Sequence, residues 1–151
     1  MRVEQKISDL GITLPAAATP AAVYVPFVQS GNLLFVSGHI AKRGAEVWSG
    51  QLGRDLQTAD GKAAARLVAI DLMGTLKAAL GDLDRVERIV KVMGLVNSTP
   101  DFTEQHLVIN GASDLMKAVF GDIGQHARAA VGVASLPLGA PVEVEAVFAL
   151  K

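Results

Sequence analysis

Hydrophobic residues follow two periods along this chain, and the change from one period to the other predicts where helices and strands lie. Apolar residues recur at helical spacing over residues 60–80, at Leu67, Ile70, Met73, Leu76 and Leu80. This spacing predicts a helix with Asp60 as its N-cap and Gly81 as its C-cap. Residues 2–10 predict a short amphipathic helix, with one side formed by Val3, Ile7 and Leu10.

A second long helical pattern covers residues 99–122. The pair Asn110 and Gly111 lies in its middle, and because glycine disfavours a helix interior we expect a break or bend there. Gly121 is expected to end this helix. Between the two long helices, residues 85–98 first alternate apolar and charged side chains and then become continuously apolar, which is typical of a strand.

Four further runs have the composition of strands. The first two, "VYVPFV" and "LLFVSGHI", flank the turn signal "QSGN", and Pro26 places the first of them at a sheet edge or on a bulge. A glycine-containing loop follows, with Trp48 as its expected anchor. The last two runs, "ARAAVGV" and "EVEAVFAL", lie near the end of the chain. The order β-β-α-β-α-β-β predicts an α+β fold, with a sheet layered by two helices.

Composition narrows the class of protein. The chain has 151 residues, half of them hydrophobic, and a mean hydropathy of +0.36, so one domain with a substantial core is expected. An apolar excess of this size in a small chain favours a homo-oligomer that buries it between subunits. The net charge is −1 and no basic stripe is present, which argues against a nucleic-acid partner.

The same sequence argues against membranes and secretion. No window reaches the roughly 18 uninterrupted apolar residues that a membrane-spanning helix needs, so no membrane partner is expected. The N-terminus, "MRVEQKISDLG", carries charges where a signal peptide has its apolar core. Cysteine is absent, which excludes disulfides and thiolate chemistry. A cytoplasmic protein is therefore predicted.

Charged residues at the last two strands are candidates for chemistry. Arg128 stands among alanines that leave room for a ligand, and its planar guanidinium can hold a carboxylate through two parallel hydrogen bonds. The alternative is a solvated or ion-paired strand end. Glu143 and Glu145 share one face of a strand. One of them either holds and polarises a water molecule or is part of an ordinary solvated sheet face.

The remaining polar residues match no well-defined catalytic motif. The histidines, His39, His106 and His126, have no metal-binding spacing, so no metal is expected. His126 is close enough to Arg128 in sequence to line the same cleft. Ser37, in "VSGH", lacks a nucleophile elbow and is expected to act as a hydrogen-bond donor.

Two motifs, "GNLLFVSGHI" and "ARAAVGVASLPLGAPVEVEAVFAL", resemble those of the RidA/YjgF family of enamine and imine deaminases, in a divergent form. The resemblance implies a chorismate-mutase-like fold of the bacillus type, with a mixed sheet and two helices packed on one face. It covers residues 20–151, and residues 1–19 are expected to form an N-terminal helix and arm. The resemblance also implies a homotrimer with sites between subunits.

The family's site residues can be carried over by position. Arg128 would bind a substrate carboxylate, and Glu143 would position water. Further substrate contacts would fall on Tyr24, Ser37, His39, Asn110 and the backbone of Ala130. His39 replaces a glutamine that is common in the family, and Ala130 replaces a common cysteine. Tyr24 would close the cleft from a neighbouring subunit.

The resemblance also implies an activity. The family reaction is hydrolysis of a 2-imino acid to a 2-keto acid and ammonia, with no metal or organic cofactor. Two alternatives remain open. The chain could be a small-carboxylate-binding or chaperone-like trimer without turnover, or a ribonuclease or translation inhibitor, as some members of this family have been described. The near-neutral charge speaks against the last of these.

Overall fold

The computed structural model describes residues 2–17 and 23–151. Its helices are α1 (Val3–Asp9), α2 (Thr58–Leu80) and α3 (Gln105–Phe120). Its strands are β1 (Phe27–Ser30), β2 (Leu33–Ile40), β3 (Lys42–Arg43), β4 (Glu46–Val47), β5 (Val86–Asn97), β6 (Ala127–Val133) and β7 (Val142–Leu150). No helix in the described part of the chain is long and apolar enough to cross a membrane.

Five strands form one mixed sheet in the order β1-β2-β7-β5-β6. Only β5 and β6 run parallel, and α3 connects them, as a parallel pair requires a crossover. Buried residues alternate along β7, at Val142, Val144, Ala146, Phe148 and Leu150, and these share one core with residues of α2 and α3. The predicted α+β fold, with two helices on one face of a mixed sheet, is confirmed. We call the opposite face the open face.

The first hairpin follows the sequence closely. Ser30 pairs with Leu33, so the turn between them has two residues, and its Gly31 has a φ of +61° that favours glycine. Pro26 directly precedes β1, which is one of the two edge strands of the sheet. The prediction that Pro26 marks an edge is confirmed, and the edge suits proline because it has no backbone N–H to donate to a neighbouring strand.

The start of α2 differs from the prediction. Gln57, not Asp60, is the N-cap, and Asp60 is the third helical residue, where its Oδ2 accepts from the Gln57 backbone N–H at 2.8 Å. The Gln57 side chain accepts in return from the backbone of Asp60, so the two residues form a reciprocal capping box. The predicted C-cap at Gly81 is confirmed, with a φ of +75°.

Helix α3 is continuous, so the predicted break at Asn110 and Gly111 is wrong. Gly111 instead permits close packing of α3 on α2, because a Cβ at this position would overlap the Lys62 carbonyl oxygen. Its missing side chain allows this close approach of the two helices. Helix α3 ends at Gly121, as predicted.

The region after β2 contains a short hairpin, β3–β4, where the sequence predicted only a loop. Trp48 follows this hairpin and is buried, and the Arg43 guanidinium lies 3.7 Å from the centroid of its ring. The role of Trp48 as an anchor is confirmed. In α1, Val3 and Ile7 are buried as predicted, whereas Leu10 is exposed because the helix ends before it.

Candidate functional site

A β-bulge in β2 sets the directions of the side chains predicted to contact substrate. The β2–β7 register shifts between Val36 and His39, so that Ser37 and Gly38 together stand opposite a single residue of β7. His39 pairs with Val144, whose side chain is in the core, and turns toward α2. Gly38 instead lies against the open-face carboxylate of Glu143.

Glu143 is half-buried on the open face. A Cβ at Gly38 would overlap Glu143 Oε2, so any residue other than glycine would displace this carboxylate. Burial raises the pKa of Glu143 above its usual range, and the negative charge of Glu145 raises it further. Neither cause is a hydrogen bond, and the described residues supply no donor to the carboxylate. This group can therefore exchange a proton with a ligand or a water molecule.

His39 has a fixed tautomer. Its Nδ1 lies 2.7 Å from the carbonyl oxygen of Ser37, which can only accept, so Nδ1 carries the hydrogen. Its Nε2 then accepts from Thr75 Oγ1 at 2.8 Å. Burial lowers the pKa of His39, which keeps the ring neutral at physiological pH. Both ring nitrogens are thus occupied, and His39 joins β2 to α2.

Tyr24, Ser37 and His39 share one cavity of about 480 Å³ between β2, α2 and the β3–β4 hairpin. We call it the β2 cavity, and its polar lining consists of Tyr24, Ser37, His39, Lys42, Asp71 and Thr75. Ser37 Oγ donates to the Val25 carbonyl oxygen at 2.6 Å, as expected for a donor, and so fixes the segment that carries Tyr24.

Arg128 lies at the other end of the sheet and is held by α3. Its Nη1 donates to Asn110 Oδ1 at 2.9 Å and to Ser113 Oγ at 3.2 Å, and its Nη2 donates to the His106 carbonyl oxygen at 3.3 Å. A guanidinium has five N–H donors. Nε–H and one Nη2–H therefore have no acceptor within the described residues. Asn110 and Arg128, both predicted site residues, are brought together.

One chain does not bring Arg128 and Glu143 together. Arg128 pairs with Val92, which faces the core, so the arginine lies on the helix side of the sheet. Glu143 pairs with Leu95 on the open face, three residues further along β5, and β5 separates the two residues' strands. A single chain in this conformation therefore does not form a site that contains both side chains.

Ala130 is half-buried on β6 and pairs with Gly94. Its side chain packs against the core, so only its backbone is available to a ligand at the outer edge of β6, the last strand of the sheet. This agrees with a role for the backbone alone.

The sequence did not single out Ser113, Asp71 or Thr75. Ser113 lies three residues after Asn110, and Thr75 lies four residues after Asp71, so each pair shares a helix face. This spacing is the sequence signal that could have linked Ser113 to Asn110 and Thr75 to Asp71. His126 does lie in the Arg128 cluster, since its Nε2 is 2.9 Å from Ser113 Oγ. Within the described residues no three His, Asp or Glu side chains are grouped so as to hold a metal ion.

Comparison with known proteins gives relatives over almost the whole chain. A Trypanosoma cruzi protein named TCP17 is 54% identical over 99% of this chain and 95% of its own. The crystal structure of Atu1372 from Agrobacterium tumefaciens, described as of unknown function, is 48% identical, with a TM-score of 0.91 and coverage of 99% of this chain and 92% of that one.

A RidA structure from the Antarctic bacterium Psychrobacter sp. PAMC 21119 is more distant. It is 26% identical, with a TM-score of 0.62 over 89% of this chain and 94% of that chain. The family model described as "YjgF/chorismate mutase-like, putative endoribonuclease" matches residues 4–149. The resemblance seen in the two sequence motifs is confirmed, and the chain belongs to the YjgF/chorismate mutase-like family.

Proposed function

We propose that this protein hydrolyses 2-imino acids to 2-keto acids and ammonia, as a homotrimer with sites between subunits. The observation that supports this most strongly is the Glu143 carboxylate, which is half-buried, has a raised pKa and lacks a hydrogen-bond donor among the described residues. A general base with a pKa moved toward neutrality suits proton transfer to and from water. No metal or cofactor is needed, because an iminium carbon is already electrophilic.

Arg128 would hold the substrate. Its Nε–H and one Nη2–H remain for a carboxylate, while α3 fixes the other side of the guanidinium through Asn110 and Ser113. Two parallel hydrogen bonds to a carboxylate give direction as well as affinity. With the acid group fixed, the C=N carbon has one defined position relative to the attacking water, and positioning of this kind contributes to the rate.

Glu143 would act in two steps. It accepts a proton from the water whose oxygen forms a bond to the C=N carbon, which gives a carbinolamine. The protonated Glu143 then gives that proton to the nitrogen, and the C–N bond breaks as the C=O bond forms. The hydroxyl proton of the carbinolamine passes through Glu143 to the departing ammonia, which leaves as ammonium when the substrate entered as the iminium. Glu143 returns to its starting state, and one water is consumed for each ammonia released.

Assembly would bring the two groups together. Val28, Phe35 and Val131 are exposed apolar residues on the open face or at its edges, which a neighbouring copy would cover. Strand β6 is an edge strand with one unpaired side in this chain. We propose that Arg128 at this edge of one subunit meets the open-face Glu143 of the next, with Tyr24 closing the cleft.

The test is hydrolysis of 2-iminopropanoate generated in situ by oxidation of alanine. Wild type is expected to accelerate pyruvate release over the protein-free rate, and Arg128→Ala and Glu143→Gln are expected to abolish the acceleration. Arg54→Ala, which removes an exposed arginine of a surface ion pair, serves as the control and should retain it. Equal rates for wild type and Arg128→Ala would exclude the proposal, and binding of pyruvate without turnover would favour the non-catalytic alternative.

Subunit mixing tests the shared site separately. Arg128→Ala and Glu143→Gln subunits, unfolded and refolded together, should regain activity that neither has alone. In a random equal mixture of a cyclic trimer, about a quarter of the boundaries would join an intact Arg128 to an intact Glu143. Mixtures that stay inactive, while mixed trimers form, would show that both groups act from one chain.

The family description names an endoribonuclease, so RNA cleavage is the second candidate. The net charge of −1 supplies few cations for a phosphate backbone. We therefore expect that the protein does not bind RNA in a salt-dependent manner. Salt-dependent binding with cleavage, lost in Arg128→Ala, would favour the ribonuclease.

A further inference from the structure

A chain of hydrogen bonds connects the buried side of α2 to the backbone of the bulge in β2. It begins at Thr75, which is 2% exposed and whose Oγ1 donates to His39 Nε2 at 2.8 Å. His39 Nδ1–H donates in turn to the Ser37 carbonyl oxygen at 2.7 Å. The orientation of the His39 ring is therefore set at both nitrogens, by the helix on one side and by the bulge on the other.

Ser37 is also held from the side opposite α2. Its Oγ donates to the Val25 carbonyl oxygen at 2.6 Å, and its backbone N–H donates to the Pro26 carbonyl oxygen at 2.9 Å. The extra residue of a β-bulge interrupts the regular ladder locally, so the bulge needs bonds from outside the ladder to keep one shape. Two of these bonds come from the segment before β1, and the third depends on His39.

The shape of the bulge decides how closely the backbone approaches Glu143. Gly38 is the second residue of the bulge, and a Cβ at this position would overlap Glu143 Oε2. A small shift of Gly38 therefore changes the space and the water contact of this carboxylate. Such a shift would act on the group proposed to transfer the proton, although it starts outside the reacting atoms.

Thr75 is the part of this chain whose loss would release the bulge. Without the Thr75 hydroxyl, His39 Nε2 would lose its donor, and a half-buried acceptor without a donor is costly. His39 lines the β2 cavity, so its ring could turn toward water there. The same rotation would break the hydrogen bond from Nδ1–H to the Ser37 carbonyl oxygen.

We propose that Thr75 is a positioning residue for Glu143. Its hydroxyl group holds the His39 ring, and the ring holds the Ser37 carbonyl group. The bulge then keeps Gly38 against the Glu143 carboxylate. The expected effect on the rate rests on the proposed hydrolysis, whereas the placement of Glu143 can be measured without turnover.

Thr75→Val removes the hydroxyl at nearly constant shape and tests the effect on the rate. We expect kcat for 2-iminopropanoate to fall about three- to tenfold, because one hydrogen bond that orients the site is lost. The Kd for pyruvate should stay unchanged, since Arg128 is held by α3 and not by this chain of bonds. Thr75→Ser keeps the hydroxyl and should retain kcat. A wild-type kcat in Thr75→Val would overturn the proposal.

Ser98→Ala is the matched control for the loss of a buried hydroxyl group. Ser98 Oγ donates to the Val96 carbonyl oxygen at 3.2 Å, outside the chain of bonds that starts at Thr75. Ser98→Ala should therefore retain kcat, whatever its effect on Tm. A loss of kcat in Ser98→Ala as large as that in Thr75→Val would mean that general loosening, and not positioning, lowers the rate.

A double-mutant cycle tests whether Thr75 acts through His39. His39→Asn keeps an amide donor near the position of Nδ1 and lacks the group that reaches Thr75, so it should also lower kcat. Thr75→Val added to His39→Asn should cause no further loss, because residues of one network are not additive. Additive losses would refute the route through His39. If Thr75→Val does not fold, a wild-type kcat in His39→Asn would still refute the proposal.

The ionisation of Glu143 gives a readout that does not depend on catalysis. It can be followed by ¹³C NMR of protein labelled at its glutamate carboxyl groups, with the Glu143 signal assigned from Glu143→Gln. Burial raises the pKa of Glu143, so looser packing in Thr75→Val should lower this pKa toward that of an ordinary glutamate. Ser98→Ala should leave it unchanged.

This readout separates the two proposals. Absence of imine hydrolysis in the wild type would exclude the proposed function, while a lowered Glu143 pKa in Thr75→Val would still support the positioning role. An unchanged Glu143 pKa in Thr75→Val would refute the positioning role, even if the wild type hydrolyses imines.

Discussion

Ser113 connects His126 to Arg128 through a single hydroxyl group. His126 Nδ1 lies 2.7 Å from the Gly124 carbonyl oxygen and must donate to it, so Nε2 accepts from Ser113 Oγ at 2.9 Å. The lone pairs of Ser113 then receive the Arg128 Nη1–H. Burial lowers the pKa of His126 and keeps it neutral, which holds the direction of this hydrogen-bond chain. Ser113 is a positioning residue for the arginine.

Removal of this hydroxyl should weaken acid binding. Ser113→Ala is expected to raise the Kd for pyruvate about three- to tenfold, because one hydrogen bond that orients a charged group is lost. The effect should fall on KM more than on kcat, since the water and Glu143 are untouched. Ser113→Thr keeps the hydroxyl and is the control. An unchanged pyruvate Kd in Ser113→Ala would show that the other contacts of Arg128 suffice.

The acidic limb of the pH–rate profile should report Glu143. Burial raises its pKa, so ionisation of the base should be complete only above the usual range of a glutamate. Glu145→Gln removes the neighbouring negative charge. The loss of this repulsion stabilises ionised Glu143 and lowers its pKa. The limb should therefore move to lower pH in Glu145→Gln, measured as kcat/KM against pH. A limb that moves upward or disappears would contradict the assignment of Glu143 as the base.

Gly38→Ala should impair activity more than stability. The added methyl group overlaps the end of the Glu143 side chain, which can rotate away, so the fold survives while the carboxylate is displaced. We expect a loss of kcat of about tenfold or more, since displacement of a catalytic group by about 1 Å is costly, with little change in Tm. In a Glu143→Ala background, which lacks the carboxylate, the same substitution should leave the Kd for pyruvate unchanged. Weaker pyruvate binding there would mean that Gly38 acts through the backbone.

Asp71→Asn should stabilise the protein at neutral pH. Burial raises the folded pKa of Asp71 above the ordinary value of an aspartate, so the folded state holds the proton more tightly than the unfolded state. This contribution to stability is present at low pH and is lost as pH rises through the two pKa values. Thermal unfolding of Asp71→Asn should lack that loss, whereas Asp114→Asn should retain it. A lower Tm at pH 7 would show that the carboxylate is already compensated in the free protein.

Sedimentation tests the assembly. Val131 on the edge strand β6 and Leu10 after α1 are each 43% exposed, so they form a matched pair. Val131→Glu buries a charge if β6 is covered in a trimer and should shift the protein to smaller species, with loss of activity. Leu10→Glu should remain trimeric. A trimer that survives Val131→Glu would place the subunit boundary elsewhere.

Much of the fold could be read from the sequence because periodicity reports which side of each element is buried. The spacing of Met73, Leu76 and Leu80 within α2, the alternation in β7 and the turn at Gly31 are all local patterns with one structural solution. The error in α3 arose where a residue served a partner distant in sequence. Gly111 looked like a helix breaker, but its purpose is the approach of the Lys62 carbonyl group.

The candidate site divides in the same way. The motifs identified Arg128 and Asn110 separately, and the structure places Arg128 Nη1 2.9 Å from Asn110 Oδ1, which was not evident from a separation of 18 positions along the chain. The motifs also placed Arg128 and Glu143 in one site. Within one chain the sheet register places them on opposite faces of the sheet. Arg128 pairs with Val92, which faces the core, and Glu143 pairs with Leu95 on the open face. The number of residues between two positions does not tell which face of the sheet each side chain occupies.

The sequence by itself determined the family, the order of the elements and the residues able to bind a carboxylate or move a proton, since these follow from side-chain chemistry and local period. Only the tertiary structure decided which of these residues meet. A bulge at Ser37 and Gly38 turns His39 toward α2 and leaves Gly38 against the Glu143 carboxylate. Helix packing places Asp71 of α2 in the same cavity as Ser37 and His39 of β2. Both arrangements depend on contacts between segments far apart along the chain, where sheet register and close packing fix the partners.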